Sequence, residues 1–221
     1  MTSLCSEDCF VIINRKKKDF TFPIHTHFEF ELNFIEHAKG AKRIVGDSME
    51  EIDDLELCLI GNKRLEHGWV NNNYNFKQIH EITIHFHKDL FLESWLNKKE
   101  FQSLAVMFEN AKKGIVFSRP TIEKLKNRLN TLSSNQNGFD AVIDLISILY
   151  ELSIDNRSRI LCNCTFTNEN NTSESRRVQK VMDYLEANFQ KNVRLTEVAE
   201  YVGMSNVSLS RFTSKKAPHH M

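Results

Sequence analysis

The chain has 221 residues, of which 41% are hydrophobic, 10% aromatic and 26% charged, and 29 Lys and Arg balance 29 Asp and Glu. This composition is typical of a globular protein with a hydrophobic core, and it excludes collagen-like, low-complexity and whole-chain nucleic-acid-coating classes. No apolar run approaches the roughly 20 residues that span a bilayer, no signal peptide is evident, and five cysteines do not suit a disulfide framework, so we expect a cytoplasmic protein with no membrane partner.

The N-terminal region, residues 1–90, shows the signals of short strands. Its clearest segment, residues 28–34, alternates strictly between apolar and polar side chains, which predicts a strand with one buried face that includes Phe28. Gly46 marks a turn between two further strands. Because no helical pattern intervenes, we predict an antiparallel sandwich or barrel. The basic run at residues 15–18 is interpreted as a solvated loop.

Helical periodicity replaces this alternation in residues 91–155, with Gly114 predicted to close one helix. The helix predicted over residues 139–153 carries an apolar stripe of Val142, Ile146 and Leu149. A helix apolar this far around is either deeply buried or shared with a second chain. We therefore predict a helical dimerisation region and a homodimer.

A tract rich in Asn, Ser and Thr predicts a linker over residues 156–175, followed by a C-terminal segment, residues 176–221. Within it, Ala199, Gly203 and Leu209 have the spacing of a helix-turn-helix, in which Gly permits the tight turn. An ordinary helical hairpin is the alternative. The predicted contacts with bases in the DNA major groove are Ser205, Asn206, Val207, Ser210 and Arg211.

The segment LTEVAEYVGMSNVSLSR resembles the first helix-turn-helix of the AraC/XylS family of bacterial transcription regulators. The N-terminal region is similar to the sensor half of that family. The resemblance implies an α+β fold: a cupin-like β-barrel (double-stranded β-helix), then helices, then an all-α helix-turn-helix segment. It also implies a small-molecule effector, operator DNA and no enzymatic activity. The family pattern continues into a second helix-turn-helix, whereas TSKKAPHHM stands here, so we expect a DNA-binding domain truncated after its first helix-turn-helix and impaired in DNA binding.

Four residues of the strand region resemble the two cupin motifs. His25, His27 and Glu31 follow the spacing H-x-H-x3-E, and His67 begins H-x3-N. Alternation places the first three on one face, and a later strand can bring His67 beside them. Three imidazoles and a carboxylate suit a divalent transition metal such as Zn²⁺, Mn²⁺, Fe²⁺ or Ni²⁺. A metal site, a polar effector pocket that includes Trp69, and structural histidines all stay open.

The remaining histidine pair, His85 and His87, is interpreted as a partly exposed strand end. No Ser-His-Asp pattern, P-loop or dinucleotide fingerprint is present. The favoured function is therefore a ligand-responsive transcription regulator. The alternatives are a cupin metalloenzyme, an isomerase or oxygenase, and a bare sensor and dimerisation module.

Overall fold

The structure is a computed structural model that describes residues 4, 5, 7–72, 74–135, 138–163, 181, 184, 188 and 193–201. The chain divides into two compact units, residues 1–164 and 165–221. The strands of the first unit are β1 (Phe10–Lys17), β2 (Phe30–Glu36), β3 (Lys42–Val45), β4 (Ser48–Glu51), β5 (Leu55–Ile60), β6 (His67–Val70), β7 (Ile79–Phe86), β8 (Ile115–Val116) and β9 (Arg159–Ile160). The α-helices are α1 (Glu93–Leu96), α2 (Gln102–Ala111), α3 (Arg119–Ser134), α4 (Phe139–Ser153) and, in the second unit, α5 (Leu195–Tyr201), and two short 3-10 helices span Lys88–Leu90 and Lys99–Phe101.

Two antiparallel sheets form the first unit. The larger has the order β1-β7-β2-β5-β8-β9, and the smaller has the order β4-β3-β6. The smaller sheet lies over one face of the larger one, as the contact of Arg43 on β3 with Glu56 on β5 shows. The fold is therefore α+β, a sheet-rich N-terminal region followed by helices, as the sequence predicts.

The central strand β2 is buried along its whole length. Phe30, Leu32 and Phe34 pack into the hydrophobic core with the helices, whereas Glu31 and Asn33 line the space between the sheets. Both faces are buried because helices cover one and the smaller sheet covers the other. The predicted alternation begins two residues too early, since Phe28 precedes β2 and is 78% exposed.

The helices pack on the apolar face of the larger sheet. Helix α4 buries a face centred on Leu145, Ile148 and Leu149 in that core. The predicted stripe is displaced, because Val142 and Ile146 are only half-buried at its flank. The aliphatic side chains of α4 extend beyond its buried face, so the apolar pattern alone does not fix the centre of that face.

Two glycines take the positions that the sequence predicts for them. Gly46, with φ +57°, lies in the turn between β3 and β4. Gly114, with φ +71°, follows α2, and a Cβ added there would lie 2.8 Å from Cγ1 of Val45. Both positions need the left-handed conformation that glycine adopts without strain.

The last described stretch of the first unit, residues 159–162, belongs to the larger sheet. β9 pairs with β8, and the amides of Leu161 and Cys162 donate to the carbonyls of Gly114 and Lys113, both at 2.9 Å. Residues that the sequence assigns to the linker are therefore held by backbone hydrogen bonds. The other predicted domain boundaries stay predictions.

The second unit is described over few residues. In α5, Val198 and Ala199 are buried against Val181. The ring centroid of Tyr201 lies 4.9 Å from that of Tyr184. The sequence predicts this apolar face for the first helix of the helix-turn-helix. Among the described helices of the chain, none is long and apolar enough to cross a membrane.

Candidate ligand and metal site

A cluster of imidazoles around one carboxylate lies between the two sheets. His25 and His67 are joined by backbone hydrogen bonds of 3.1 and 3.0 Å, each amide donating to the other residue's carbonyl. Strand β2 supplies Glu31, and His27 lies in the segment that leads into it. The fold therefore brings together the four predicted residues, and their ligand atoms all lie within 4.8 Å of one another.

Glu31 is the centre of this cluster. Its Oε2 lies 3.1 Å from His27 Nε2, 3.5 Å from His67 Nε2 and 3.9 Å from His25 Nε2. The Nε2 atoms of His27 and His67 are 3.1 Å apart. Three imidazoles thus present the same ring nitrogen to one carboxylate oxygen.

The opposite ring nitrogens face the backbone. The Nδ1–carbonyl oxygen distances are 3.1 Å for His25 to Pro23, 3.0 Å for His27 to Glu29, and 2.9 Å for His67 to Leu65. A carbonyl oxygen only accepts hydrogen bonds, so Nδ1 carries the proton of each neutral ring and Nε2 keeps its lone pair. This outer hydrogen bond is typical of histidines that bind metals, because it fixes both the tautomer and the ring orientation.

The charge states of the cluster follow from its burial and its contacts. Burial alone would raise the pKa of the Glu31 carboxyl, but the surrounding imidazoles, His67 first, hold that pKa well below its usual value. Burial opposes the charged form of His67, yet Glu31 raises the pKa of His67. Burial, helped by His67, lowers the pKa of His25 to about 4. Two ring nitrogens 3.1 Å apart need a hydrogen or a metal ion between them, because two lone pairs at that distance repel each other.

His85 is a fourth imidazole, which the sequence analysis did not assign to the cluster. It lies directly opposite Glu31 in the β2–β7 register and is 5% exposed rather than partly exposed as predicted. Its Nε2 is 3.7 Å from Glu31 Oε2, and burial lowers its pKa. His87, beyond the end of β7, is half-buried. No local pattern marks His85, because strand register rather than sequence spacing brings it to Glu31.

Polar side chains hold the second oxygen of the central carboxylate. Asn33 Nδ2 donates to Glu31 Oε1 and to Thr83 Oγ1, both at 3.2 Å. Thr83 lies opposite Asn33 on β7. The orientation of Glu31 is therefore set from both of its oxygens.

A cavity of about 200 Å³ opens beside this cluster. Trp69, predicted as a pocket residue, lines it. Its lining consists of Ile13, Arg15, Lys17, Phe20, Phe22, His25, Thr26, His27, Glu31, Asn33, Gly68, Trp69, Glu81, Thr83 and His85. The lining of the cavity therefore combines polar and charged side chains with aromatic ones.

Two basic residues at the cavity correct the interpretation of residues 15–18 as a solvated loop. Arg15 and Lys17 belong to β1, an edge strand, and line the cavity. Charged side chains are common on edge strands because they discourage pairing with other chains, so a basic run does not exclude a strand.

The predicted DNA contacts, which are Ser205, Asn206, Val207, Ser210 and Arg211, lie outside the described residues. Their assignment therefore stays a prediction from the helix-turn-helix sequence.

No family model matches the chain, and no curated protein matches it. Among solved structures, the chain is similar to ToxT from Vibrio cholerae, with 11% identity over 95% of this chain and 76% of that one and a TM-score of 0.41. ToxT from Vibrio cholerae O395 bound to (E)-4-(8-methylnaphthalen-1-yl)but-3-enoic acid gives 12% identity, 95% and 77% coverage and a TM-score of 0.41. Unsaturated fatty acid bound ToxT from strain SCE256 gives 11% identity, 94% and 73% coverage and a TM-score of 0.41. Likenesses this distant carry no argument about the site.

Proposed function

We propose that this chain is a DNA-binding transcription regulator of the AraC type, in which a ligand held between the two sheets changes how a C-terminal helix-turn-helix contacts operator DNA. One observation carries the proposal: a cluster of four imidazoles around a buried carboxylate lies beside a cavity, in a chain whose separate second unit bears the helix-turn-helix sequence. Such a regulator couples a ligand-binding unit to a separate DNA-binding unit.

The donor set of the cluster fits a divalent transition metal. Tetrahedral Zn²⁺ with bonds of about 2.0–2.1 Å to nitrogen places its ligand atoms about 3.3 Å apart. The distances of 3.1–3.9 Å from Glu31 Oε2 to the three Nε2 atoms bracket that value. The residues that would hold the ion are His25, His27, Glu31 and His67. With four protein donors in place, a bound metal would take an oxygen donor of a ligand as a fifth ligand, drawn by the positive charge of the ion.

A chain of paired residues supports coupling between the cavity and the end of the first unit. Trp69 lies opposite Arg43 in the β3–β6 register. Arg43 Nη2 donates to Glu50 Oε2 at 2.6 Å, and Glu50 also accepts two hydrogen bonds of 2.7 Å from Arg159 on β9. A ligand that binds more tightly to one arrangement of these hydrogen bonds would increase the population of that arrangement.

The homodimer stays a prediction, and the outer face of α4 supports it. Phe139, Ile143 and Tyr150 are exposed and lie along one side of this helix, and the exposed Ile154 follows its last residue. An apolar strip of this kind is typical of a protein–protein contact. Sedimentation equilibrium tests it, and a monomer at micromolar concentration would contradict it.

The experiment that tests the regulator is selection of DNA from a random pool by the full chain at low salt, where the weak binding expected of a truncated DNA-binding domain is strongest, followed by affinity measurement at that salt. We expect Arg211→Ala to raise the dissociation constant for the selected sequence by about fivefold or more, because a base contact contributes about 1–3 kcal/mol. The matched control is Arg157→Ala, which removes the same charge from an exposed position of the first unit. Unchanged affinity in Arg211→Ala would remove this assignment.

The cluster also favours a second candidate, a cupin-type metalloenzyme, because its donors adjoin an open cavity. A catalytic metal keeps a coordination position free for substrate or water. The same selection separates the two functions: enrichment of a sequence supports the regulator. Failure to enrich any sequence, together with metal-dependent turnover, would support the enzyme.

A further inference from the structure

We infer that the cavity binds a small dicarboxylate, with one carboxylate at a metal ion on the imidazole cluster and the other on Arg15 at the edge of the cavity. The inference deepens the proposed function, because it names the chemical class of the effector, and it rests on the metal proposed there.

The alternation of β1 divides its basic residues between two environments. Arg15 and Lys17 line the cavity. Asn14 faces the other way, where its Nδ2 donates to Ser133 Oγ on α3 at 2.8 Å. Lys16 shares the face of Asn14, since side chains two apart on a strand lie on one side. The strand therefore offers a cation to the cavity and a matched cation away from it.

The positive charge of Arg15 has no carboxylate partner in the described part of the chain, unlike that of Lys17. Glu81 lies directly opposite Arg15 in the β1–β7 register. Its Oε2 instead accepts a hydrogen bond of 2.7 Å from Lys17 Nζ, so these two charges cancel. Among the residues that the structure describes, no carboxylate lies within ion-pair distance of Arg15.

The net charge of the cavity with a divalent metal bound favours a ligand that carries two negative charges. A divalent ion exceeds the single negative charge of Glu31 by one, and the Arg15 guanidinium, which is always protonated, adds another. With the other imidazoles neutral, roughly two positive charges remain. A ligand with one carboxylate at each place neutralises both. Arginine suits this role, since its planar fork donates two parallel hydrogen bonds to a carboxylate.

The size and walls of the cavity restrict the carbon chain between the two carboxylates. A volume of about 200 Å³ lies below the roughly 300–1,000 Å³ of pockets for drug-sized ligands. Phe20, Phe22 and Trp69 supply apolar surface to the lining of the cavity. Two charged ends with a short apolar middle describe a small aliphatic dicarboxylate.

Calorimetric titration of the Zn²⁺-loaded full chain with succinate and with butyrate tests the inference. Butyrate matches the carbon chain of succinate but lacks one carboxylate. His219 and His220 are replaced by Ala throughout, so that this adjacent pair does not bind stray metal. We expect succinate to bind at least about tenfold more tightly than butyrate. Arg15→Gln removes this preference, Arg15→Lys weakens it, and Lys16→Gln preserves it.

Equal affinity for the two acids would overturn the inference, and so would an unchanged preference in both Arg15 variants. An equal loss of the preference in Lys16→Gln would also overturn it, because it would indicate general attraction by surface charge. Equally tight succinate binding without Zn²⁺ would also overturn it, because one carboxylate is assigned to the metal. The measurement contains no DNA. If the chain prefers succinate but selects no DNA sequence, the dicarboxylate site is supported and the regulator is refuted. If the chain selects a DNA sequence but does not prefer succinate, the regulator is supported and the dicarboxylate site is refuted.

Discussion

We expect Glu31→Gln to lower the affinity for Zn²⁺ by at least about a hundredfold. Loss of an outer partner of a metal ligand costs about 10–100-fold, and Glu31 is a direct donor at the centre of the cluster. The amide keeps the shape of the side chain but removes the negative charge of the donor set. Competition with a chromophoric chelator measures the affinity.

The matched control is Glu100→Gln, at an exposed position in the second 3-10 helix, which should leave the affinity unchanged. Equal affinities of Glu31→Gln and the wild-type chain would show that the cluster does not bind the metal. The His219 and His220 replacements are used here for the same reason as above.

The same variant should be less stable without metal, in a pH window that the two shifted pKa values define. The pKa of Glu31 is lowered, so its contribution is present above its unfolded value of about 4.3 and is lost as the pH falls through the folded pKa. The pKa of His67 is raised, so its contribution is complete below about 6.5 and is lost as the pH rises through the folded pKa. The difference between the wild-type chain and Glu31→Gln should therefore be largest between about pH 4.5 and 6.5.

The second large effect is expected for Arg43→Ala, which should lower the free energy of unfolding by about 3–5 kcal/mol. Arg43 is 2% exposed, and its Nη1 donates to Glu56 Oε1 at 2.7 Å. Removal of the guanidinium leaves the Glu56 carboxylate buried without a cation, which is the costly way to break a buried ion pair. Glu50 is less affected, because Arg159 still binds it.

Denaturant unfolding of Arg43→Ala and of Lys42→Ala measures this effect. Lys42, the neighbour of Arg43 on β3, is half-buried and has no ion pair within the described part of the chain, so its loss should cost no more than about 0.5 kcal/mol. Burial already raises the pKa of Glu56. Protonation of Glu56 relieves the buried charge, so the deficit of Arg43→Ala should shrink as the pH falls. Equal stabilities of the two variants would contradict this role of Arg43.

Local sequence patterns predicted much of the fold and part of the site. The alternation around Glu31 located β2, and helical periodicity located the region of residues 91–155 in which α2, α3 and α4 lie, because both signals repeat within a few residues. His25, His27 and Glu31 lie close in sequence, so their common face could be predicted. Their assignment to a cupin-like barrel and to an effector or metal site stays a prediction.

Other features depend on contacts that no local pattern encodes. His85 reaches Glu31 only through the β2–β7 register, and Arg15 reaches the cavity only because β7 pairs with β1. The charges of residues 15–18 favoured a loop over a strand, although an edge strand tolerates them well. Long-range strand pairing therefore brings to the cavity the residues that local sequence patterns did not predict there.

We expect occupancy of the cavity to control DNA binding. The affinity of the full chain for its selected DNA sequence is measured by fluorescence anisotropy with the cluster metal-free, and with Zn²⁺ and succinate present. We predict a change of at least about fivefold, since coupling between sites is typically about 1–3 kcal/mol, and no change in His27→Ala. Identical affinities of the wild-type chain under the two conditions would show that the cavity does not control DNA binding.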